Sequence, residues 1–248
     1  LNLISPERLR DELFRILDGP NTNKSILALE ILGTFPNLLP ELIPLKEIQQ
    51  SPPHTKNVWL HTLDTLHYLE ILINVLGSNL DDSERFRKGK DGIENVLLRF
   101  LNKTKEFRVQ ILDHIAKVFV DHRTTRSLIF FAALYHDSAK PQVKKIDENG
   151  RIRFFNHEEL GCDLVENRGT ALRLSNDEII RLKTVVKGHM RPTHLARLEK
   201  EPSLRSIYRF FRATGESGID ICLLSLADLL ATYGPTIPEE RWNKQLQV

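Results

Sequence analysis

The apolar run from Leu128 to Tyr135 ends abruptly in His136-Asp137, and two further ligand-type residues, His61 and Asp228, stand far away on either side in segments almost as greasy. Such side chains do not enter an apolar interior alone, because an unpaired buried charge costs far more than a fold can supply. Asp228 makes the case most sharply. In IDICLLSLADLLATYG its carboxylate is ringed by leucines, and an isolated buried carboxylate takes up a proton instead of staying charged. A divalent cation shared by His61, His136, Asp137 and Asp228 resolves the problem for all four. Two imidazoles and two carboxylates suit a borderline ion such as manganese, iron, cobalt, nickel or zinc, with coordination positions left for water and a phosphate oxygen. The chemistry this donor set predicts is metal-assisted hydrolysis of a phosphoester.

Residues so distant in the chain meet only if the elements between them fold into a bundle, and the pattern is helical almost throughout, with Pro and Gly punctuating segments of helix length. Residues 5 to 17 open with Ser5 as N-cap and Pro6 at the first helical position, followed by an apolar stripe through Leu9, Leu13 and Ile16. A second helix is expected over about 24 to 33, and the crossing FPNLLPELIPL holds too many prolines to be regular. A long helix from Val58 to Leu76 carries His61 near its start. Residues 78 to 92 are polar and charged and read as a flexible loop, and one or two helices follow over 93 to 120. A β-hairpin is expected over 142 to 155, where two β-favouring runs flank Asn149-Gly150. Beyond it, Asn156 is placed to cap a helix beginning HEELG, Ser175 and Glu178 form a capping-box pattern, and two last helices span about 203 to 213 and 218 to 232. The fold class is all-α.

Lys plus Arg (35) nearly balances Asp plus Glu (33), so no global field announces a nucleic-acid or membrane partner. Cys162 and Cys222 stand alone, which excludes a disulfide framework or a thiolate zinc site and fits a reducing, cytoplasmic setting. No signal peptide and no uninterrupted apolar stretch of about 18 residues is found, so no membrane partner is expected. The first residue is Leu, which fits an excised fragment.

The order of His61, His136-Asp137 and Asp228, with Lys140 just beyond, resembles the HD superfamily of metal-dependent phosphohydrolases. More narrowly, WLHTLDTL, ALYHDSAKP, FFNHEELG, LRLSNDEI, VKGHMRP and SLADLLA, in that order, resemble the C-terminal HD region of bacterial tRNA nucleotidyltransferases and poly(A)-polymerase relatives, and the likeness covers most of the chain. It implies an HD helical bundle over 56–248 preceded by a neck-like helical segment over 1–55. It also implies metal binding by His61, His136, Asp137 and Asp228, the set reached independently above, and places His157 and His189 where some HD phosphodiesterases hold a second metal or contact substrate. The expected cofactor is one or two divalent ions per chain: manganese, nickel, cobalt, iron, zinc or magnesium. Lys140 is the candidate for neutralising phosphate charge in the transition state, with Arg191 a second candidate. The implied substrate class is a nucleotide or RNA-end phosphoester, including 2′,3′-cyclic phosphates. The alternative is a non-catalytic or RNA-binding module of a tRNA nucleotidyltransferase-like protein, with tRNA or RNA as partner. Nothing in residues 1 to 60 matches the Gly-Ser motif and paired aspartates of the family's catalytic head, so nucleotide addition by this chain alone is not expected. Ser138-Ala139 and Cys162 depart from the family pattern without removing a ligand.

The other titratable residues have plainer readings. His67, His114 and His122 are assigned to core hydrogen bonds, and His54 and His194 to surface or loop. Asp64, one turn beyond His61, either orients a ligand or faces solvent. Lys140 has the alternative of a helix C-terminal cation. Lys144, Lys145, Arg151 and Arg153 read as a solvated hairpin in preference to an RNA contact. Oligomeric state is not legible.

Overall fold

The computed structural model describes residues 4–78, 92–197 and 202–248. The Ser5 hydroxyl accepts the Arg8 amide and Pro6 starts the first helix, α1 (Pro6–Asp18), which buries Leu13, Phe14 and Leu17. After α2 (Thr22–Ile31) the Pro-rich crossing is more regular than its composition suggests, forming a short helix, α3 (Phe35–Leu38), and a 3-10 turn run over Pro40–Glu47. Prolines at the first helical positions lose no hydrogen bond, since those amides have no intrahelical partner. Its Leu38, Leu39, Leu42 and Leu45 are buried.

Five helices enclose the centre of the molecule: α4 (Val58–Gly77), α7 (Thr125–Tyr135), α9 (His157–Ala171), α10 (Asn176–Gly188) and α13 (Ser217–Tyr233). Helix α13 lies along α4, α10 lies along α9, and α7 touches α4, α10 and α1. Every residue of α7 except Arg126 is buried. That accounts for the unbroken apolar run in the sequence: the helix is surrounded, and each large aliphatic or aromatic side chain so buried contributes about 1.5–3 kcal/mol. The N-terminal segment shares this core, with Phe14 stacked on Phe131 at 5.4 Å. Helix α10 begins with the full capping box, the Ser175 hydroxyl accepting the Glu178 amide while the Glu178 carboxylate accepts the Ser175 amide.

Helices α5 (Gly92–Thr104) and α6 (Arg108–Ala116) end before residue 120, and β1 (Val118–Val120), inside the stretch expected to be helical, pairs with β2 (Arg123–Thr124) in a small hairpin. A short α8 (Lys140–Val143) follows the His-Asp pair, and the expected second hairpin is present as β3 (Lys144–Ile146) against β4 (Ile152–Phe154), register Lys145 to Arg153. Its turn places Gly150 at φ 73°, with the Asp147 carboxylate accepting the Asn149 and Arg151 amides. Asn156 occupies the N-cap position of α9 in the left-handed region but makes no capping bond with its side chain. The remaining helices are α11 (Arg191–Ala196), α12 (Leu204–Thr214) and α14 (Glu239–Leu246), the last not foreseen. The polar stretch read as a flexible loop lies almost wholly outside the described residues. His67 and His122 are exposed instead of buried, whereas His114 bonds to buried Asp220 at 2.7 Å.

The stretch Ser217–Thr236 is long and apolar enough to cross a membrane, with mean hydropathy 1.3, but 61% of it is buried inside the bundle. It is the core helix that carries Asp220 and Asp228.

Gly188, the last residue of α10, is needed for close approach: a Cβ there would stand 2.5 Å from Ile221 Cδ1 on α13. Gly188→Ala is expected to lower stability by about 1–3 kcal/mol through overpacking, read as a lower urea midpoint. A midpoint equal to the parent's would contradict this contact.

Candidate metal centre

Helix ends bring the functional side chains together. His61 sits in the first turn of α4, whose N-cap Asn57 accepts the Leu60 amide at 2.8 Å. His136 is the C-cap of α7 and Asp137 follows it, His157 opens α9, His189 is the C-cap of α10, and Asp228 lies in α13. Four of these six are at helix boundaries, where a side chain can point along the bundle interior without disturbing an apolar stripe.

Two triads result. His61, His136 and Asp228 form one, and Asp137, His157 and His189 the other, each with donor atoms within 4.8 Å of one another. Asp137 faces both: its Oδ2 is 3.3 Å from His136 Nε2 and 3.8 Å from His61 Nε2, while its Oδ1 is 3.3 Å from His157 Nε2. His61 Nε2 is 2.8 Å from Asp228 Oδ1.

Three imidazoles are locked in the same way. Nδ1–H of His136 donates to the Ala133 carbonyl at 2.7 Å, that of His157 to Phe154 at 2.8 Å, and that of His189 to Val186 at 2.6 Å. A carbonyl only accepts, so Nδ1 carries the proton and Nε2 turns inward as the atom available to a cation. His157 Nε2 and His189 Nε2 then face each other across 3.3 Å. Two lone pairs so placed repel unless a proton or metal cation stands between them. His136 Nε2 is buried without a hydrogen-bond partner. These three nitrogens and two carboxylates therefore fit a divalent cation.

The electrostatics agree. Burial would raise the Asp137 carboxyl, but His136 and Lys140 outweigh it and hold the group well below the usual carboxylate range. Burial acts the same way on Asp228, and the bond and charge of His61 keep it low. Burial, with His157 and His136 close by, pushes His189 down to about 3, so it is neutral at physiological pH.

Lys140 lies where the sequence reading put it but is already engaged, its buried ammonium 2.6 Å from Asp137 Oδ2 and 2.7 Å from Gln50 Oε1. Arg191 is not brought to the site: it is exposed, its guanidinium 5.3 Å from the centre of the Phe210 ring. Its place just after His189 in the chain suggested otherwise, but α11 turns it outward. Asp64 pairs with Lys56. Two residues that sequence reasoning missed enter instead. Gln50 holds Lys140, and His54, assigned to surface or loop, lays its ring edge-on against His61 at 4.8 Å with Nδ1 buried and unpartnered. Burial, then His61 and Lys140, lower the His54 imidazole to about 4. Both come from the connector before α4, and their signal in the sequence is faint: two polar residues beside SPP.

A cleft of about 350 Å³ opens over Asp137, His157 and Asp228. Its hairpin wall carries Arg151, Arg153 and Phe154, tied to the connector by the Ile152 amide donating to Ser51 Oγ at 2.7 Å. The arrangement joins a water-accessible donor set to a cationic rim, which is what attack on a phosphoester requires.

Comparison with known proteins agrees with this geometry. Residues 103–232 match the HD domain family, a span that includes five of the six donors and leaves out His61. Residues 1–45 match a family described as the probable RNA and SrmB- binding site of polymerase A. The chain is 27% identical over 238 residues to the CC-adding tRNA nucleotidyltransferase of Thermus thermophilus, covering 96% of this chain and 42% of that protein. It is 27% identical over 234 residues to the A-adding tRNA nucleotidyltransferase of Deinococcus radiodurans, covering 94% and 41%. The chain thus spans about two fifths of the length of these curated relatives.

Proposed function

The chain belongs to the HD-domain family, and from that premise we propose that it is a metal-dependent phosphohydrolase acting on nucleotide or RNA-end phosphoesters, 2′,3′-cyclic phosphates among them. The observation that carries this reading is the inward set of Nε2 atoms, fixed by Nδ1–carbonyl bonds, around the carboxylate of Asp137. His61, His136 and Asp228 would hold one divalent ion and His157 and His189 a second, with Asp137 between them. When bound, such ions supply Lewis acidity, making water a nucleophile near neutral pH and drawing charge from phosphoryl oxygens. Asp137 orients the site and fixes Lys140, whose ammonium faces the cleft and balances the charge that develops on phosphorus-bound oxygen. Arg151 and Arg153 hold the phosphate over the donors. In the reaction a water oxygen forms a new bond to phosphorus, the ester P–O bond breaks, and the leaving oxygen takes a proton.

The RNA-end substrate is supported by the match of residues 1–45 to an RNA-binding family and by relatives that act on tRNA. The same facts favour a second reading, an RNA-binding module without turnover in a longer nucleotidyltransferase-like protein. We retain the division into a neck over 1–55 and a hydrolase unit over 56–248.

The two readings separate in one assay: hydrolysis of 2′,3′-cyclic AMP and bis-p-nitrophenyl phosphate with manganese, nickel, cobalt or magnesium added. Metal-dependent turnover is expected. RNA binding with no turnover under any of these ions would replace the first reading by the second.

Gln50→Leu gives a finer test. Without the amide oxygen, Lys140 turns wholly onto Asp137 and competes with the cation for that carboxylate, so divalent-metal affinity should fall about 10-fold. Calorimetric titration measures it, and unchanged affinity would remove Gln50 from the site.

A further inference from the structure

Past the metal donors the cleft does not close. The wall formed by Pro53, Thr193, Arg197, Tyr233 and Arg241 continues into a second hollow of about 570 Å³, bounded on its far side by α14. The charges along this path are unequal. Arg153 pairs with Asp147, and Lys244 with Glu240. Of the four arginines among the described residues that line this path, three have no carboxylate partner: Arg151, which donates to the Pro52 carbonyl; Arg241, which donates to the Tyr233 hydroxyl; and Arg197. Arg151 stands on the hairpin side of the first chamber, whereas Arg197 and Arg241 stand where the two chambers join. The Arg241 guanidinium also lies 4.8 Å from the centre of the Tyr233 ring.

We propose that the second hollow is a subsite for the next nucleotide of a polynucleotide whose terminal phosphoester sits over the metal donors. This rests on the hydrolase reading and adds to its RNA-end substrate the residues that would hold the nucleotide next to the reacting end. The first chamber, about 350 Å³, is at the small end of the range for ligand pockets and suits a single nucleotide. The second is open, so a longer chain has a continuous path. Arg197 and Arg241 meet that chain where its next phosphodiester would lie, and guanidinium is the side chain best matched to phosphate oxygens. Tyr233, with Arg241 stacked on it, offers a planar face on which a base of any identity can stack. The subsite reads backbone and stacking and therefore tolerates sequence.

The test compares 2′,3′-cyclic AMP with the dinucleotide ApA carrying a 2′,3′-cyclic phosphate, on the full chain loaded with manganese. The parent should favour the dinucleotide by at least about 10-fold in kcat/KM, the low end for one phosphate contact plus one stacked base. Arg197→Ala and Arg241→Ala should each cost the dinucleotide at least about fivefold more than the mononucleotide. In parallel, fluorescence anisotropy with labelled oligoadenylate should show the salt dependence of binding flattened by about 0.7 in log–log slope for each arginine removed. Equal kcat/KM for the two substrates, or equal losses on both in the variants, would overturn the subsite. Absence of turnover on either substrate would count against the hydrolase reading, and the subsite would then stand or fall on the anisotropy slopes alone.

Discussion

Asp137→Ala is expected to strip divalent metal from the protein and to lower kcat/KM for phosphoester hydrolysis by ~10³-fold or more, the upper range for loss of one preorganised charged group at a reacting centre. Asp137 faces both triads: its carboxylate lies 3.3 Å from His136 Nε2 through one oxygen and 3.3 Å from His157 Nε2 through the other. Its removal takes a donor from the triad with His157 and His189 and the neighbouring carboxylate from the triad of His61, His136 and Asp228. It also leaves the buried Lys140 ammonium with Gln50 as its remaining hydrogen-bond acceptor. Removing one partner of a buried ion pair costs about 3–5 kcal/mol, so the single variant alone does not separate lost chemistry from lost fold. Asp137→Ala combined with Lys140→Met removes the stranded charge. That double variant should regain most of the stability, read by urea denaturation, and none of the activity or metal, read by elemental analysis. Metal content and rates near the parent's in Asp137→Ala would remove the residue from the centre.

Glu178→Ala should be the most destabilising single change away from the metal centre. Glu178 is fully buried and receives Arg123 Nε at 2.5 Å and Nη2 at 3.0 Å, as well as the Ser175 amide at 2.8 Å. Alanine would leave the Arg123 guanidinium, 5% exposed, without its buried carboxylate partner and would dissolve the capping box of the helix that ends at His189. The pair accounts for about 3–5 kcal/mol and the cap for about 1. For a chain of this size that is roughly 10 °C or more in Tm. The pH dependence has a definite sign. Burial would raise the Glu178 carboxyl, but the Arg123 and Ser175 bonds outweigh it and hold it below its ordinary 4.5. The stabilisation is therefore complete above about pH 4.5 and is lost as pH falls through the lower folded-state value. Glu178→Gln, which cannot ionise, should lose that component of the acid transition. A Tm within two degrees of the parent for Glu178→Ala would show that Arg123 finds another partner.

What the sequence made legible follows from local chemistry. Ser5-Pro6 and Ser175 with Glu178 announce helix starts through bonds made within four residues, and both helices begin there. The donor residues were legible because ligand-type side chains stood out against apolar runs, and their family order did the rest. Interactions between distant residues were not legible. Gln50 reaches Lys140 across 90 residues, and nothing near either position marks the pair. The Pro-rich crossing is more regular than its prolines suggest because Pro36 and Pro40 occupy first-turn positions, where no hydrogen bond is lost, with Pro44 alone inside the 3-10 run. Arg191 adjoins His189 in sequence, yet the helix start between them turns it toward Phe210. His67 was assigned to the core on the strength of its leucine neighbours, but it lies on the solvent side of α4, between buried Leu66 and Leu69 in the sequence.

Hydrolysis is proposed to depend on divalent ions held at Asp137. The most direct test titrates manganese into metal-stripped protein while following bound metal and hydrolysis of 2′,3′-cyclic AMP in the same samples. Turnover should rise in step with occupancy and reach its plateau at one or two ions per chain. Occupancy without turnover, or turnover that ignores occupancy, would contradict the account.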